Sequence, residues 1–191
     1  MMRIITGKAR GTKLLTLAGD ATRPTAERTK EAVFSVLQND LRDSVVLDLF
    51  AGSGQLGLEA ISRGARRAVF CDHSREAVRI IRANIEKTAF SDAASVLCVD
   101  AAAAISMLSG REKFDLVFLD PPYALHLIPD VLRRLHSAGI LAEGARIVCE
   151  SASPEDVFGK DPTLAELYEV VRDSRYGAAY VTFLTLREVT V

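Results

Sequence analysis

From residue 44 onward short apolar runs alternate with longer helix-like segments, and this alternation restricts the fold more than any other feature of the chain. The strand-like runs lie at 45–50, 68–72, 95–99, 114–119 and 146–149, and the helix-like segments near 55–63, 74–89, 101–109 and 126–138. Strands that alternate with helices require right-handed βαβ crossovers and a parallel sheet covered on both faces. Near the end the rule changes. Tyr168–Arg172 and Tyr180–Arg187 read as strands joined by a loop too short for a helical crossover, so they are expected to pair antiparallel. Five parallel strands and a terminal hairpin make one doubly wound α/β domain.

The opening of the chain follows another pattern. Two short strands are expected around Arg3–Ile5 and Lys13–Leu17, joined through Gly7 and Gly11. Arg23-Pro24-Thr25 then breaks the chain, and Thr25 is a candidate N-cap for a helix whose apolar face carries Val33, Phe34, Val36 and Leu37. This divides the chain into a β-hairpin arm, 1–24, and a main domain, 25–191. Net charge is −1, but residues 1–30 carry seven basic side chains against two acidic ones, a local +5 that leaves −6 for the remainder. Such a distribution is either an electrostatic footprint for a phosphate backbone or a solvated surface, and charge alone favours the solvated surface.

Two constellations carry chemistry. The first, Asp48-Leu49-Phe50-Ala51-Gly52-Ser53-Gly54-Gln55-Leu56-Gly57, places G-x-G-x-x-G between a strand and a helix, and Asp72 ends the next strand 20 residues after Gly52. Glycines admit close backbone approach to a ligand, and Asp72 can accept from ribose hydroxyls, so this is a nucleoside site. Nicotinamide-binding domains share the spacing. Asp48, however, would repel a pyrophosphate, whereas it favours the ammonium and positive sulfur of S-adenosylmethionine.

The second constellation is Asp120-Pro121-Pro122-Tyr123 at the carboxyl end of the fourth strand, where open α/β sheets bind ligands. Consecutive prolines remove two N–H donors and present carbonyl acceptors. An exocyclic base amine is a poor nucleophile because its lone pair is delocalised. Hydrogen bonds to the Asp120 carboxylate and the Pro121 carbonyl would orient it for attack, and Tyr123 offers a face on which an unpaired base can stack. The bland alternative is a rigid turn, which the glycine loop on the first strand disfavours.

Other positions are less specific. Asp100, beside Ala101, could accept from a cofactor adenine or simply cap a helix; His73 enters only through its neighbour Asp72. Glu150 ends the fifth strand as either an interior or a substrate-facing acid, and Ser174-Arg175-Tyr176-Gly177 is either a hairpin turn or a loop with an RNA-facing arginine. Cys71, Cys98 and Cys149 form no C-x-x-C pair and read as small buried hydrophobes, and no histidine has metal spacing, so no metal is expected. The absence of an 18-residue apolar run or a secretory leader makes a cytoplasmic, membrane-free protein the expectation.

The residues at 46–65 (VLDLFAGSGQLGLEAISRGA), LDPPY at 119–123, the opening MRIITGKARGTKL and RPTAERTKEAVFSVL at 23–37 together resemble the RsmD family, bacterial enzymes that methylate a guanine N2 of small-subunit (16S) rRNA. The resemblance implies a class I methyltransferase fold of seven strands, a Rossmann-like doubly wound sheet. It implies S-adenosyl-L-methionine held by Asp48, Phe50, Ala51, Gly52, Ser53, Gly54, Asp72, His73, Asp100 and Ala101, with Asp120, Pro121, Pro122 and Tyr123 meeting the base. It implies rRNA contacts from Lys8, Arg10, Lys13, Arg23, Thr25, Arg28 and Arg175, on a monomer. Asp72 stands where the family is expected to have glutamate, and Ala9 where a larger residue is frequent. The tetrapeptide is shared with adenine-N6 methyltransferases, the alternative reading. An oxidoreductase would need neither DPPY nor a basic arm, and an RNA-binding module without catalysis would need neither the glycine loop nor Asp72.

Overall fold

The computed structural model describes residues 2–17 and 24–187, with the side chains of 24–26 outside the described set. A seven-stranded sheet forms the centre. Its strands are β1 (Val45–Asp48), β2 (Arg67–Cys71), β3 (Ala94–Leu97), β4 (Phe114–Leu119), β5 (Leu141–Ser151), β6 (Tyr168–Tyr176) and β7 (Ala179–Leu186), in the order β3-β2-β1-β4-β5-β7-β6. The first five run parallel, and β7 lies antiparallel to both β5 and β6. This is the expected doubly wound class I methyltransferase architecture, including the terminal hairpin.

Two cores flank the sheet. On one face pack α1 (Pro24–Val36), α2 (Gln55–Ser62) and α3 (Arg75–Thr88), with Phe34, Leu58 and Ile81 against Val46, Phe70 and Phe118. On the other lie α4 (Ala101–Leu108), α5 (Ile128–Ala138), α6 (Glu155–Phe158) and α7 (Pro162–Leu167), with Ile105, Leu132 and Leu164 against Leu47, Val117 and Ile147. Central parallel strands are buried on both faces, so they appear in sequence as continuous apolar runs rather than as alternation.

Several details differ from expectation. The arm is an irregular hairpin with a single bridge, Arg3 to Lys13, closed by Ile4 N–H to the Thr12 carbonyl (3.0 Å) and Leu14 N–H to the Met2 carbonyl (3.0 Å). It cannot form longer strands because its inner groups bond elsewhere, to α2 and α3. α1 starts at Pro24, so Thr25 lies inside the first turn instead of capping it; proline suits that first position because its missing N–H has no helical partner. β5 begins at Leu141, five residues earlier than expected, and a bulge between the pairs Phe114↔Leu141 and Leu116↔Arg146 absorbs the Glu143-Gly144 break. The short helices α6 and α7 add to the expected elements. Cys71 and Cys149 are buried, but Cys98 is exposed because it follows the edge strand β3.

The arm is built into the first core. Met2, Ile4 and Leu14 are buried there with Phe34 and Leu58. The Glu59 carboxylate of α2, 0% exposed, accepts from the backbone N–H groups of Ile5 (2.7 Å) and Thr6 (3.0 Å) and from Arg63 Nε (2.8 Å). Lys30 of α1 lies 3.6 Å from the same carboxylate and donates to the Arg3 carbonyl at 2.7 Å. Gly7, at φ 87°, sits so close to α2 that a Cβ would lie 1.8 Å from the Ser62 carbonyl oxygen. Asn84 of α3 closes the other end: its amide accepts from Leu15 N–H (2.8 Å) and donates to the carbonyls of Leu15 (3.0 Å) and Ser53 (2.9 Å).

The third glycine of the loop has a packing role. A Cβ on Gly57 would meet the ring of Phe70 at 2.3 Å, and Phe70 is 0% exposed with nowhere to move. Gly57→Ala should therefore destabilise the fold by about 1–3 kcal/mol, the cost of overpacking a filled core. Urea unfolding should show a lower midpoint at unchanged slope; an unchanged midpoint would refute the close-approach argument.

Candidate functional site

A cavity of about 960 Å³ opens along the carboxyl edge of β1, β4 and β5. It straddles the edge, since Leu49, Leu119 and Val131 of one core and Val33, Phe118, Val148 and Val181 of the other all contribute to its wall. The glycine loop supplies Phe50, Ala51, Gly52 and Ser53, the end of β2 supplies Asp72 and His73, and the start of α4 supplies Asp100 and Ala101. Asp120, Pro121, Pro122 and Tyr123 line the same cavity. Two motifs separated by some 70 residues in sequence thus share one space.

The loop is shaped by its own hydrogen bonds. Gly54 takes a left-handed conformation (φ 78°) that turns β1 into α2 and that side chains rarely adopt. Asp72 fastens the loop from the neighbouring strand, its carboxylate accepting from Gly52 N–H at 2.9 Å and Ser74 N–H at 2.8 Å. A Cβ on Gly52 would meet nothing within 4 Å, so the backbone there is open to an incoming ligand. His73 is largely exposed beside it. Asp100 caps α4 by accepting from Ala103 N–H at 2.8 Å and also faces the cavity.

Asp48 and Gly54 are absent from the cavity wall. Along β1, Val46 and Asp48 point to the α2 side, so the Asp48 carboxylate lies beneath the loop, 2% exposed, and accepts from Gly57 N–H at 3.1 Å. It organises the first turn of α2 from behind instead of facing a ligand from the cavity wall.

At the other end, Pro121 is buried, Pro122 is exposed and Tyr123 opens a short 3-10 turn, Tyr123–Leu125. The Pro122 carbonyl is taken by Leu125 N–H at 3.0 Å, so not every proline carbonyl faces the cavity as an acceptor. The Tyr123 hydroxyl donates to Glu150 Oε1 at 2.7 Å. Glu150 also lines the cavity, and burial raises its carboxyl, opposed by the hydrogen bond from Tyr123. Burial raises the Tyr123 hydroxyl too, the Glu150 bond adding to it. From the sequence Glu150 is open between an interior and a substrate-facing acid; its one signal is an acid ending an otherwise apolar strand. Lys30 and Met2, also on the wall, carry no such signal.

The basic residues lie elsewhere. Lys8, Arg10, Lys13 and Arg28 are exposed and outside the cavity wall. Arg175, also exposed, donates to the Gly177 carbonyl at 3.0 Å and lies over the Tyr180 ring at 5.4 Å, while Gly177 itself reaches the cavity rim. Arg23 falls outside the described residues, as does the side chain of Thr25.

Charge discriminates between nucleoside ligands. Asp72, Asp100, Asp120, Asp130 and Glu150 line the cavity, whereas Lys30, held against Glu59, is the single lysine or arginine among the described wall residues. That lining opposes a pyrophosphate and suits an ammonium and a sulfonium. Val99, Ala101 and Leu127 add apolar side chains to the same wall. No group of three or more metal-ligating side chains occurs among the described residues, and no described helix is long and apolar enough to cross a membrane.

Burial pushes the Asp48 carboxyl up to about 7 from an ordinary value of 3.8, against the lowering effect of the Gly57 N–H. An acid with a raised value binds its proton more tightly in the folded chain than in the unfolded one. Its contribution to stability is therefore full below pH 3.8 and lost as pH rises through about 7. Asp48→Asn should flatten the fall in unfolding free energy across that window. Parallel profiles for the two proteins would show that Asp48 does not titrate there.

Known proteins resemble this chain in sequence and in fold. The family described as Conserved hypothetical protein 95 matches residues 2–185. The Ribosomal RNA small subunit methyltransferase D of Haemophilus influenzae is 34% identical over 78% of this chain and 78% of its own. That of Escherichia coli is 35% identical over 78% of this chain and 74% of its own. The solved structure of yhhF from Escherichia coli superposes with a TM-score of 0.81 at 31% identity, covering 97% of both chains. The chain belongs to the RsmD family of ribosomal RNA small subunit methyltransferases.

Proposed function

We propose that this protein transfers a methyl group from S-adenosylmethionine to the exocyclic N2 of a guanine in 16S rRNA, with Asp120–Tyr123 as the catalytic segment. One observation carries the assignment: the glycine loop with Asp72 and the Asp-Pro-Pro-Tyr segment open into the same acidic cavity. S-adenosylmethionine supplies a methyl group on a positively charged sulfur, which departs as a neutral thioether when the methyl moves to nitrogen. Phe50, Ala51, Gly52 and Ser53 hold it through backbone, Asp72 takes the ribose hydroxyls, and Asp100 and Ala101 meet the adenine. Asp48 supports this loop from below.

Asp120 and the Pro121 carbonyl accept the two N–H groups of the target amine, orienting its lone pair. Tyr123, fixed by Glu150, stacks on the base. Orientation of the amine against the sulfonium methyl supplies most of the acceleration. The amine proton leaves after transfer, to Asp120 or to water. Arg23, Thr25, Arg28 and Arg175, with Lys8, Arg10 and Lys13 of the arm, hold the RNA. The unit is a cytoplasmic monomer whose arm, 1–24, serves the catalytic domain, 25–191.

Incubation with tritiated S-adenosylmethionine and 16S rRNA, followed by digestion, should place the label on N2-methylguanosine; label on N6-methyladenosine would overturn the substrate assignment. Asp120→Ala should lower single-turnover transfer by ~10²-fold or more, the scale of losing one preorganised electrostatic contact, with cofactor affinity unchanged. A folded Asp120→Ala protein with normal turnover would mean that the reacting amine lies elsewhere.

Replacing Lys8, Arg10 and Lys13 together tests the arm. The salt dependence of log K for RNA should flatten by about 0.7–0.9 for each phosphate no longer neutralised, roughly two to three units in all. An unchanged slope would return these side chains to a solvated surface.

A further inference from the structure

The second carboxylate beside Asp120 has a place fixed by sheet register. β4 and β5 pair in parallel through Phe118↔Val148 and Leu119↔Cys149. One step further, Asp120 and Glu150 fall side by side at the carboxyl edge. Side chains alternate along strands. Leu119 and Cys149 enter the core under α4 and α5, whereas Phe118 and Val148 enter the core under α1. Asp120 and Glu150 therefore face the α1 side together. Val181, the β7 partner of Glu150, belongs to that same core and lines the same cavity.

Glu150 Oε1 is occupied by the Tyr123 hydroxyl at 2.7 Å, and among the described residues no group donates to Oε2. An ionised carboxylate is purely an acceptor, so Oε2 asks for a donor from whatever fills the cavity. The two candidate purines differ at this point. Guanine presents its N2 amine beside N1–H, a second donor. Adenine presents its N6 amine beside N1, an acceptor. An amine held by Asp120 and the Pro121 carbonyl leaves the neighbouring ring atom for Glu150 to read.

We propose that Glu150 is a specificity-determining residue that accepts N1–H of the target guanine through Oε2, so that a base with an acceptor at N1 is rejected. The assignment rests on guanine-N2 transfer at this cavity. The Tyr123 hydroxyl gives the interaction its direction, because by taking Oε1 it commits Oε2 to the base. Discrimination follows because an acceptor facing an acceptor leaves both groups unpaired.

The test uses 16S rRNA carrying either guanosine or 2-aminopurine riboside at the nucleotide that the wild-type protein labels. 2-Aminopurine keeps the amine but has an acceptor at N1. Wild-type kcat/KM should favour guanosine by on the order of 10²-fold or more, the scale for a site built around a substrate N–H. Glu150→Gln keeps an oxygen for Tyr123 and turns an NH₂ group toward the base. It should lower transfer to guanosine and maintain or raise transfer to 2-aminopurine, shrinking the ratio by on the order of 10²-fold. A role limited to holding Tyr123 would lower both substrates together, and an unchanged ratio overturns the proposal. So does a wild-type protein that methylates both bases equally, a result that needs no folded variant. Label on adenine in the wild-type reaction overturns the guanine assignment itself, and this inference with it, before any ratio is measured.

Discussion

The Glu59 carboxylate is the constraint on which the site depends. It carries a negative charge at a position with no exposure to water, a placement that costs several kcal/mol unless the charge is fully partnered. Its partners come from three parts of the chain: Ile5 and Thr6 of the arm, Lys30 of α1, and Arg63 just beyond α2. Each is held where the carboxylate needs it. Lys30 passes the constraint on by donating to the Arg3 carbonyl, so α1 cannot shift without moving the arm. Met2, Thr29, Lys30 and Val33 then form one wall of the cavity. This wall of the cavity is thus set by a buried charge that is not itself part of the lining.

That arrangement explains why the cavity spans the sheet edge. The glycine loop, Asp72 and Asp100 follow the ends of β1, β2 and β3, while Asp120 and Glu150 point under α1. Methyl transfer requires two ligands to approach one another from opposite sides of a reacting centre. An open parallel sheet offers such a place where neighbouring strand ends diverge. The proline pair after β4 stiffens the crossing, because it fixes φ between Asp120 and Tyr123.

Much of this is legible in the sequence, for identifiable reasons. Strands buried on both faces announce themselves as apolar runs, and the glycine loop and the Asp-Pro-Pro-Tyr segment are local chemistry written in consecutive residues. Glu150 and Lys30 gain meaning only from partners 27 or more residues away, and Glu59 chiefly from Ile5 and Thr6, 54 and 53 residues away, which no local pattern reveals. Asp48 is open to a ligand-facing reading from the charge argument. Side-chain parity along β1, with Val46 and Asp48 on one face, turns it toward α2. The early start of β5 is hidden by its bulge, and α6 and α7, of 4 and 6 residues, are too short to display a helical period. The basic arm is exposed at Lys8, Arg10 and Lys13, as its charge suggests, but Lys30, counted with them by charge, is buried.

The Asn84 side chain sets an order of assembly. It bonds Leu15 across 69 residues and Ser53 across 31, tying the beginning of the chain to the glycine loop. During synthesis the arm emerges before its binding surface on α2 and α3, which is complete only after the ribosome has translated past Asn84. Until then Met2, Ile4 and Leu14 have no core to enter, and the pocket lacks a wall. Pairings of such long separation slow folding through the entropy of closing the intervening loop.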